Sequence, residues 1–341
     1  MYAKRREGGL AARESPPSDR AKYPSLRRHR RHDWAHYRHF LRHSWSDTLS
    51  LLARFVRSTP PPYSVRPPGT PGRPPTPPRD VVRFLLLRAL GQWSYDEVHS
   101  ILCAVPSLAR QLGFRHIPAA PTVAAWAPRV PPDYLTHLLG RLARKIPSEG
   151  RCNLAGDGTG LSLHRWEQWR DPCRGSGHHR TFLKLHALVA TRAQFPYFLA
   201  AHATDDRTND VTQLPTLVTQ LPSRRSLGNV VLDRGYVSRE NARVIAERGG
   251  RPVIALRKNT TRVKAMGVGA WSAMVFDQFR HRREFACRYR RRAVIEGVFG
   301  AFKDRFGTWV RSRRWETQVV EVLTRTVVWN AFAVSYHQGD R

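Results

Sequence analysis

The sequence predicts an α/β protein in which a mixed sheet, flanked by helices, follows a basic helical N-terminal region. Two observations lead to this prediction. Apolar residues recur with a helical period up to Ile146 and with a strand period from Cys152 onward. From Cys152 the predicted order is three strands, followed by helix, strand, helix, strand and helix. Antiparallel strands followed by βαβ units build a mixed sheet that helices cover.

The composition indicates a polyanionic partner. The 341 residues carry a formal net charge of +32 and a pI near 11.4. A charge of this size and sign is typical of nucleic-acid binding, and an anionic membrane surface is the competing interpretation. The sequence has no run of about 18 apolar residues and no apolar signal core. We therefore expect a cytoplasmic protein with no membrane segment, associated with the nucleoid when it is bound to DNA.

The cysteines indicate neither a disulfide framework nor a zinc finger. They are scattered at Cys103, Cys152, Cys173 and Cys287, and no two form a Cys-x-x-Cys pair. Cys173 with His178 and His179 is the only loose cluster of metal-ligating residue types in the sequence. A polar surface loop is the favoured interpretation of that cluster.

Residues 1–58 are predicted to form a basic N-terminal region that contains one amphipathic helix. The segment before His32 is rich in Lys and Arg, and we expect it to be disordered until it meets an anion. A helix is predicted at His32–Phe55. Its buried face should contain Trp34, Tyr37, Leu41, Trp45 and Leu52. Its opposite face carries His32, His36, His39 and His43. We expect these histidines to face solvent or phosphate, with metal binding as the alternative.

A proline-rich linker over residues 59–79 is predicted to separate this region from a helical region over residues 80–148. Five helices are predicted there: Val81–Leu90, Ser94–Ala104, Ser107–Leu112, Thr122–Ala127 and Tyr134–Ile146. Ser94 and Glu97 form a capping box at the start of the second. Short helices joined by tight turns suit a helix-turn-helix DNA-binding domain. A purely structural lead-in to the next domain is an equal alternative.

Residues 149–341 are predicted to form the mixed α/β domain. Its strands are predicted at Asn153–Leu163, Leu183–Thr191, Phe195–His202, Asn229–Leu232 and Pro252–Leu256. Its helices are predicted at Val211–Leu221, Ser238–Arg248, Tyr289–Phe306 and Thr317–Tyr336, with a basic connection before the third.

Three carboxylates stand at positions that suit a metal site. Asp157 lies within a strand between two glycines, Asp233 follows an apolar strand, and Glu296 lies on a later helix. Converging acids would raise one another's pKa, and two hard divalent cations such as Mg²⁺ would resolve that conflict. Two such ions can promote an in-line displacement at phosphorus. Taken singly, each aspartate also fits a capping or turn residue beside glycine.

The predicted helix Tyr289–Phe306 groups polar side chains along one edge. At about 100° per residue, Tyr289, Arg292, Glu296 and Lys303 share this edge, and the neighbouring face is apolar. A carboxylate flanked by cations suits a site for a metal and a phosphate. The alternative is a solvated helix face on which Arg292 and Glu296 form an ordinary i,i+4 ion pair.

These four spaced residues resemble the Tyr-Arg-Glu-Lys signature of DDE transposases encoded by bacterial insertion sequences. The Asp157–Gly158 strand and the segment Leu232–Tyr236 resemble the first and second acidic motifs of that family. The resemblance covers Asn153 to Phe306 and implies a ribonuclease-H-like fold.

The resemblance also implies roles for particular residues. Asp157, Asp233 and Glu296 would bind Mg²⁺ or Mn²⁺, as two ions, and form the catalytic triad. Tyr289, Arg292 and Lys303 would contact transposon-end DNA.

The activity implied by the resemblance is DNA transposition. The protein would bind terminal inverted repeats, hydrolyse a phosphodiester bond at each transposon end and transfer the freed 3′-hydroxyl into target DNA. Its partner would be double-stranded DNA, and the pairing of two ends implies at least a dimer in the synaptic complex. A non-catalytic DNA-binding descendant of a transposase and a ribonuclease-H-like nuclease without strand transfer are the alternatives.

Trp166 and Trp169 follow the first predicted strand in a polar segment. They could stack on a displaced base, but ordinary packing is the favoured interpretation.

Overall fold

The computed structural model describes most of the chain, and the element bounds below refer to that part. The described residues are 34–65, 75–147, 150–163, 182–223, 225–257, 260 and 268–338. Four sequence interpretations fall outside them: the basic segment before the first helix, His32, the Trp166 and Trp169 pair, and the cluster of Cys173, His178 and His179.

The first half of the described chain is helical, as predicted. Its helices are α1 (Trp34–Arg57), α2 (Pro78–Gly91), α3 (Tyr95–Ala104), α4 (Pro106–Leu112), α5 (Ala120–Trp126) and α6 (Pro132–Ala143). Ser94 Oγ accepts a hydrogen bond from Glu97 N at 3.2 Å, and the Glu97 carboxylate accepts one from Ser94 N at 2.6 Å. The predicted capping box is therefore confirmed. Gly113 ends α4 at a φ of 83°, a left-handed conformation that favours glycine.

One five-stranded mixed sheet follows, which confirms the predicted architecture. Its strands are β1 (Cys152–Ser162), β2 (Phe182–Ala190), β3 (Phe198–Asp205), β4 (Leu227–Leu232) and β5 (Arg251–Ile254). Their order across the sheet is β3-β2-β1-β4-β5. The first three strands pair antiparallel, whereas β4 runs parallel to both β1 and β5. The central strand is therefore β1.

Six helices accompany the sheet: α7 (Leu214–Thr219), α8 (Arg239–Glu247), α9 (Ala270–Arg280), α10 (Arg282–Tyr289), α11 (Ala293–Phe306) and α12 (Trp315–Gln338). The helix predicted at Val211–Leu221 is split into a 3₁₀ turn and α7, because Pro215 begins a new helical turn. Helices α9 and α10 were expected to be a basic connection. Only Phe285 of α10 is buried, so α10 lacks the apolar period that reveals a helix. None of the described helices combines the length and the apolar character of a membrane-spanning segment.

Helix α1 is confirmed, and its orientation agrees with the prediction only in part. Leu52 is buried and His39 and His43 are exposed, as expected. Leu41 and Trp45 were expected in the core but are 54% and 39% exposed. His36 was expected on the wet face but is buried, and its ring packs edge-on against an aromatic ring of α12. The difference arises because α1 packs against α12. Helix α12 is buried from Thr317 to Tyr336 and contacts α1, α2, α6 and β3. The face that meets α12 is buried, whichever face is the more aromatic.

A buried ion cluster on α12 connects three parts of the chain. The Glu321 carboxylate pairs with Arg325 at 2.5 Å and with Arg88 of α2 at 3.2 Å. It also accepts hydrogen bonds from Arg311 N at 3.1 Å and from Ser312 N and Oγ at 3.0 and 2.6 Å. Burial acts to raise the Glu321 pKa, but the two guanidinium groups and these hydrogen bonds lower it to about 2. The cluster therefore fixes α2, α12 and the segment that leaves α11.

We expect Glu321→Ala to lower the free energy of unfolding by about 3–5 kcal/mol, because two buried guanidinium groups lose their common partner. Urea unfolding of the full chain measures this loss.

Glu240→Ala is the control, since it removes an exposed ion pair with Arg243 on α8 and should change stability little. The low Glu321 pKa also predicts the direction in which stability changes with pH. The stabilisation should be complete above the unfolded glutamate pKa of about 4.3 and be lost as the pH falls toward 2. Acidification over that window should therefore destabilise the wild type more than Glu321→Gln. If the wild type and Glu321→Gln lost the same stability on acidification, the role given to the cluster would be contradicted.

Candidate active site

Asp157 lies on the central strand β1, with Gly156 and Gly158 on either side. A methyl group added at Gly156 would come within 2.4 and 2.6 Å of two leucine side chains, and one at Gly158 within 3.2 Å of Asp210 Oδ1. Successive residues of a strand face opposite sides, so both glycines lie on the reverse face of the sheet from Asp157. Glycine at these positions permits close packing behind Asp157, and neither position is a turn.

Asp233 directly follows β4, the strand beside β1. In this parallel pair Gly156 lies opposite Leu232, so Asp157 and Asp233 take the next positions at the same edge of the sheet. This edge is the carboxyl end of the parallel strands, where open α/β sheets bind their ligands.

The predicted continuous helix over Tyr289–Phe306 is wrong. Helix α10 ends at Tyr289, a 3₁₀ turn spans Arg290–Arg292, and α11 follows. The two helices have different packing partners. Phe285 of α10 packs on two valines of β4 and β5 and stacks against Tyr289, whereas α11 packs against β1. The tighter turn accommodates this change of partner, and a uniform 100° rotation per residue does not hold across it.

The guanidinium group of Arg292 lies between all three predicted carboxylates. Its Nη1 atom is 3.2 Å from Asp157 Oδ2 and 4.0 Å from Asp233 Oδ1. Its Nη2 atom pairs with Glu296 Oε1. The structure thus brings the three acids together, and Arg292 makes more contacts than a solvated i,i+4 pair would.

Burial and mutual repulsion determine the electrostatics of this cluster. The Asp157 side chain is only 21% exposed, and burial raises its pKa. The hydrogen bond from Gly158 N at 2.8 Å and the charge of Arg292 oppose that rise, while Asp233 and Asp210 add to it. Burial acts to lower the pKa of Arg292, but Tyr289 and the surrounding carboxylates outweigh it, so the pKa is raised. The cluster therefore stabilises a positive charge at its centre.

Tyr289 and Lys303 differ in their contact with the carboxylates. The Tyr289 hydroxyl donates a hydrogen bond to Asp233 Oδ1 at 3.3 Å, and the Tyr289 pKa is raised, chiefly by burial. Lys303 lies two turns beyond Glu296 on α11, and burial lowers its pKa. Its ammonium group makes no ion pair with any side chain in the part of the chain that the structure describes. Tyr289 and Arg292 therefore contact the acids, whereas Lys303 does not.

The residues of the cluster fit a hard divalent cation. Such ions bind carboxylate oxygens, and Asp157 and Asp233 both lie within 4.0 Å of the same Arg292 nitrogen. Among the described residues, no group of three or more His, Cys, Asp or Glu side chains is arranged to hold a metal ion as it stands. A divalent cation held by these carboxylates would supply further positive charge to them.

Sequence reasoning missed a second layer of polar residues behind Asp157. Asp210, Lys184 and His186 lie against Gly158 on the reverse face of the sheet. Asp210 pairs with Lys184 at 2.6 Å. The signal that could have revealed it is an acidic segment, residues 205–210, placed between two candidate catalytic aspartates of a strongly basic chain.

We expect Arg292→Ala to lower the free energy of unfolding of the metal-free protein by about 1–2 kcal/mol, because three carboxylates lose their counter-charge. A divalent cation should restore most of the loss, since it can replace the guanidinium. Thermal unfolding in EDTA and then in Mg²⁺ measures both effects.

Arg290→Ala is the matched control, because Arg290 is exposed on the same 3₁₀ turn. It should behave like the wild type in both buffers. If Arg292→Ala were as stable in EDTA as this control, the central role of the guanidinium would be refuted.

Comparison of the sequence with known proteins identifies a family. The profile of the family described as "Transposase DDE domain" matches residues 148–331, which is more than half of the chain. Over 110 residues the chain is 36% identical to a Burkholderia cepacia protein named "Putative transposase for insertion sequence element IS402". That match covers 30% of this chain and 52% of the other protein, so the chain spans about half the length of this curated relative. No solved structure matches the chain. The chain therefore belongs to the Transposase DDE domain family.

Proposed function

We propose that this protein is a DNA transposase that binds the terminal inverted repeats of its element, hydrolyses a phosphodiester bond at each end and transfers the 3′-hydroxyl into target DNA. The observation that carries the proposal is the convergence of Asp157, Asp233 and Glu296 around a single cationic group at the carboxyl end of β4. Family membership supports the same reaction.

The proposed fold of the catalytic part is ribonuclease-H-like. The strand order β3-β2-β1-β4-β5 supports it, with three antiparallel strands followed by two parallel ones. The first carboxylate lies on the central strand, the second follows the neighbouring parallel strand, and the third lies on a helix that packs against the central strand.

Asp157, Asp233 and Glu296 would hold two Mg²⁺ or Mn²⁺ ions. When bound, such ions lower the pKa of an attacking hydroxyl and stabilise the leaving oxygen at phosphorus. The protein itself supplies the position of the three acids. It also supplies a tyrosine hydroxyl that restrains Asp233 and a layer of polar side chains packed behind Asp157.

Arg292, Tyr289 and Lys303 are proposed to contact the DNA backbone. Arg292 can clamp a phosphate with two parallel hydrogen bonds once a divalent cation has neutralised the acids. The half-buried Lys303 has no ion-pair partner among the described side chains, so its charge is available to a phosphate.

A cationic cleft on the same face of the sheet supports backbone binding next to the acids. It measures about 180 Å³, and its lining includes Asn153, Asn229, Arg192 and Arg291. Arg288 also lines it, but its guanidinium is paired with Asp277 and Glu284. None of the described residues that line it is acidic. Asn153 and Asn229 precede Asp157 and Asp233 by four strand positions, which places the cleft about 13 Å from the acids. A DNA strand that follows this face would meet both.

The remaining expectations from the sequence are part of this proposal. The segment before α1 would supply cations for end binding, and the α2–α6 region would be either a helix-turn-helix module or structural support. Two DNA ends would be held by at least a dimer at the nucleoid. The boundaries proposed for the four regions, at 58, 79 and 148, remain predictions.

We expect Asp157→Ala, Asp233→Ala and Glu296→Ala each to reduce Mg²⁺-dependent nicking of end DNA to background while leaving DNA affinity nearly unchanged. The acids hold metal, whereas Lys and Arg contacts to phosphate supply most of the affinity. The substrate is a duplex that carries the inverted repeats flanking the gene, and both nicking and strand transfer are measured.

Asp304→Ala is the control, because Asp304 is an exposed acid on the same helix as Glu296. A triad variant that nicks like this control would remove that residue from the site. Nicking by the wild type without strand transfer would identify a nuclease instead, and binding without nicking would identify a non-catalytic DNA-binding protein.

We expect removal of residues 1–33 to weaken end binding and to flatten its dependence on salt, because the deleted segment carries many cations and each phosphate contact adds to the slope. Affinity is measured between about 50 and 200 mM salt. The deletion stops before α1, since residues such as Leu52 and Phe55 belong to the core. An unchanged slope would place the DNA contacts on the remaining chain.

A further inference from the structure

The strongest unexplained feature is the polar layer behind Asp157. The Asp210 carboxylate lies between the two segments that carry the catalytic aspartates. A methyl group added at Gly158 would come within 3.2 Å of Asp210 Oδ1, and one added at Gly235 within 3.3 Å of Asp210 Oδ2. Gly158 is the next residue after Asp157, and Gly235 is two residues after Asp233. Asp210 Oδ1 therefore lies close to the first segment and Asp210 Oδ2 close to the second.

Several contacts hold Asp210 in that position. Lys184 of β2 pairs with Asp210 Oδ1 at 2.6 Å, and His186 Nδ1 lies 3.4 Å from the same oxygen. The fully buried His186 also contacts Tyr236 Oη at 3.4 Å and Thr204 Oγ1 at 2.8 Å. Burial lowers the His186 pKa to about 4, so this ring is neutral at pH 7 and Lys184 is the cation that balances Asp210.

The segment that carries Asp210 is itself fixed to the segment after Asp233. The buried Asn241 side chain donates to Val211 O at 2.9 Å and to Tyr236 O at 2.7 Å. One amide group thus connects the residue after Asp210 with the residue after Gly235. Contacts on both sides of Asp210 resist movement of the two segments relative to each other.

We propose that Asp210 is a positioning residue that sets the separation of Asp157 and Asp233, with Lys184 as its anchor. The inference rests on the proposed function, because the separation matters only if the two aspartates share metal ions. Asp210 lies on the reverse face and touches neither substrate nor reacting atoms. Its effect passes through the backbone at Gly158 and Gly235.

The test compares Mn²⁺ affinity, measured by calorimetry on the full chain without DNA, and nicking in Asp210→Ala and Asp210→Asn. Asp210→Ala empties the space between the two segments and should weaken Mn²⁺ binding about tenfold or more, the range seen when outer partners of metal ligands are removed. Asp210→Asn keeps the shape and should lose less. A purely electrostatic role predicts equal effects, because both variants remove the same charge, and equal effects would overturn the proposal.

Asp80→Asn is the matched control, because Asp80 is a buried acid that pairs with Arg83 at 2.5 Å in the remote helix α2. It should reproduce any general loss of thermal stability and leave Mn²⁺ affinity at the wild-type value. An equal loss of Mn²⁺ affinity in this control would reduce the Asp210 effect to destabilisation and overturn the proposal.

A double-mutant cycle tests directly whether Asp210 keeps the two segments apart. Gly235→Ala should weaken Mn²⁺ binding in the wild-type background, because its methyl group presses on Asp210, and should add no further loss in the Asp210→Ala background. Additive losses would refute the inference while leaving the proposed function in place. Absence of Mn²⁺ binding and nicking in the wild type itself would overturn the proposed function and this inference with it.

Discussion

Three carboxylates can meet at one edge of this sheet because a positive charge stands between them. Asp157 is largely withdrawn from water, and both burial and its acidic neighbours oppose its ionised form. The Arg292 guanidinium relieves that conflict by contacting all three acids. The local backbone accompanies this contact. The helix is interrupted over Arg290–Arg292, where the packing partner changes, and Glu296 lies in the first turn of the next helix.

The geometry of the cluster depends on how firmly each element is held. Ser162 at the end of β1 exchanges backbone hydrogen bonds with Thr308 and Val310, at 2.9 and 2.8 Å, which fixes the exit of α11 beside the central strand. The next residues enter the Glu321 cluster, which is buried and connects to α2. The segment that follows α11, the helix that carries Glu296, is therefore fixed by both the sheet and the N-terminal helices. Sites built on such supported elements keep their geometry better than sites on loops.

The sequence patterns predicted elements best where a helix or strand packs on a single partner. The capping box at Ser94 and the run of strands after Cys152 were correct, because local hydrogen bonding and alternation decide them. The three acids were selected from their positions within a strand, after a strand and on a helix, and from the family resemblance, not from a predicted strand order. The buried face of α1 was only partly correct. Leu52 is buried and His39 and His43 are exposed as expected, but His36, Leu41 and Trp45 are reversed, because contact with α12 and not aromatic content decides which side is covered. The break before α11 was missed, since a change of packing partner leaves no periodic signal. Asp210 was missed because it acts from the opposite face, across contacts that only the folded sheet creates.

The carboxylates and cations on the two faces of β1 do not balance one another, and the difference indicates how much positive charge the cluster can accept. On the front face Asp157, Asp233 and Glu296 meet Arg292, and on the reverse face Asp210 meets Lys184 while His186 is neutral. With the four carboxylates ionised, the two cations leave the cluster with two negative charges, in a chain whose net charge is +32. One divalent cation would neutralise that remainder. Under the proposed function, a second ion would add excess positive charge unless a substrate phosphate accompanied it. Hard cations commonly complete their shell with substrate phosphate oxygens in this way.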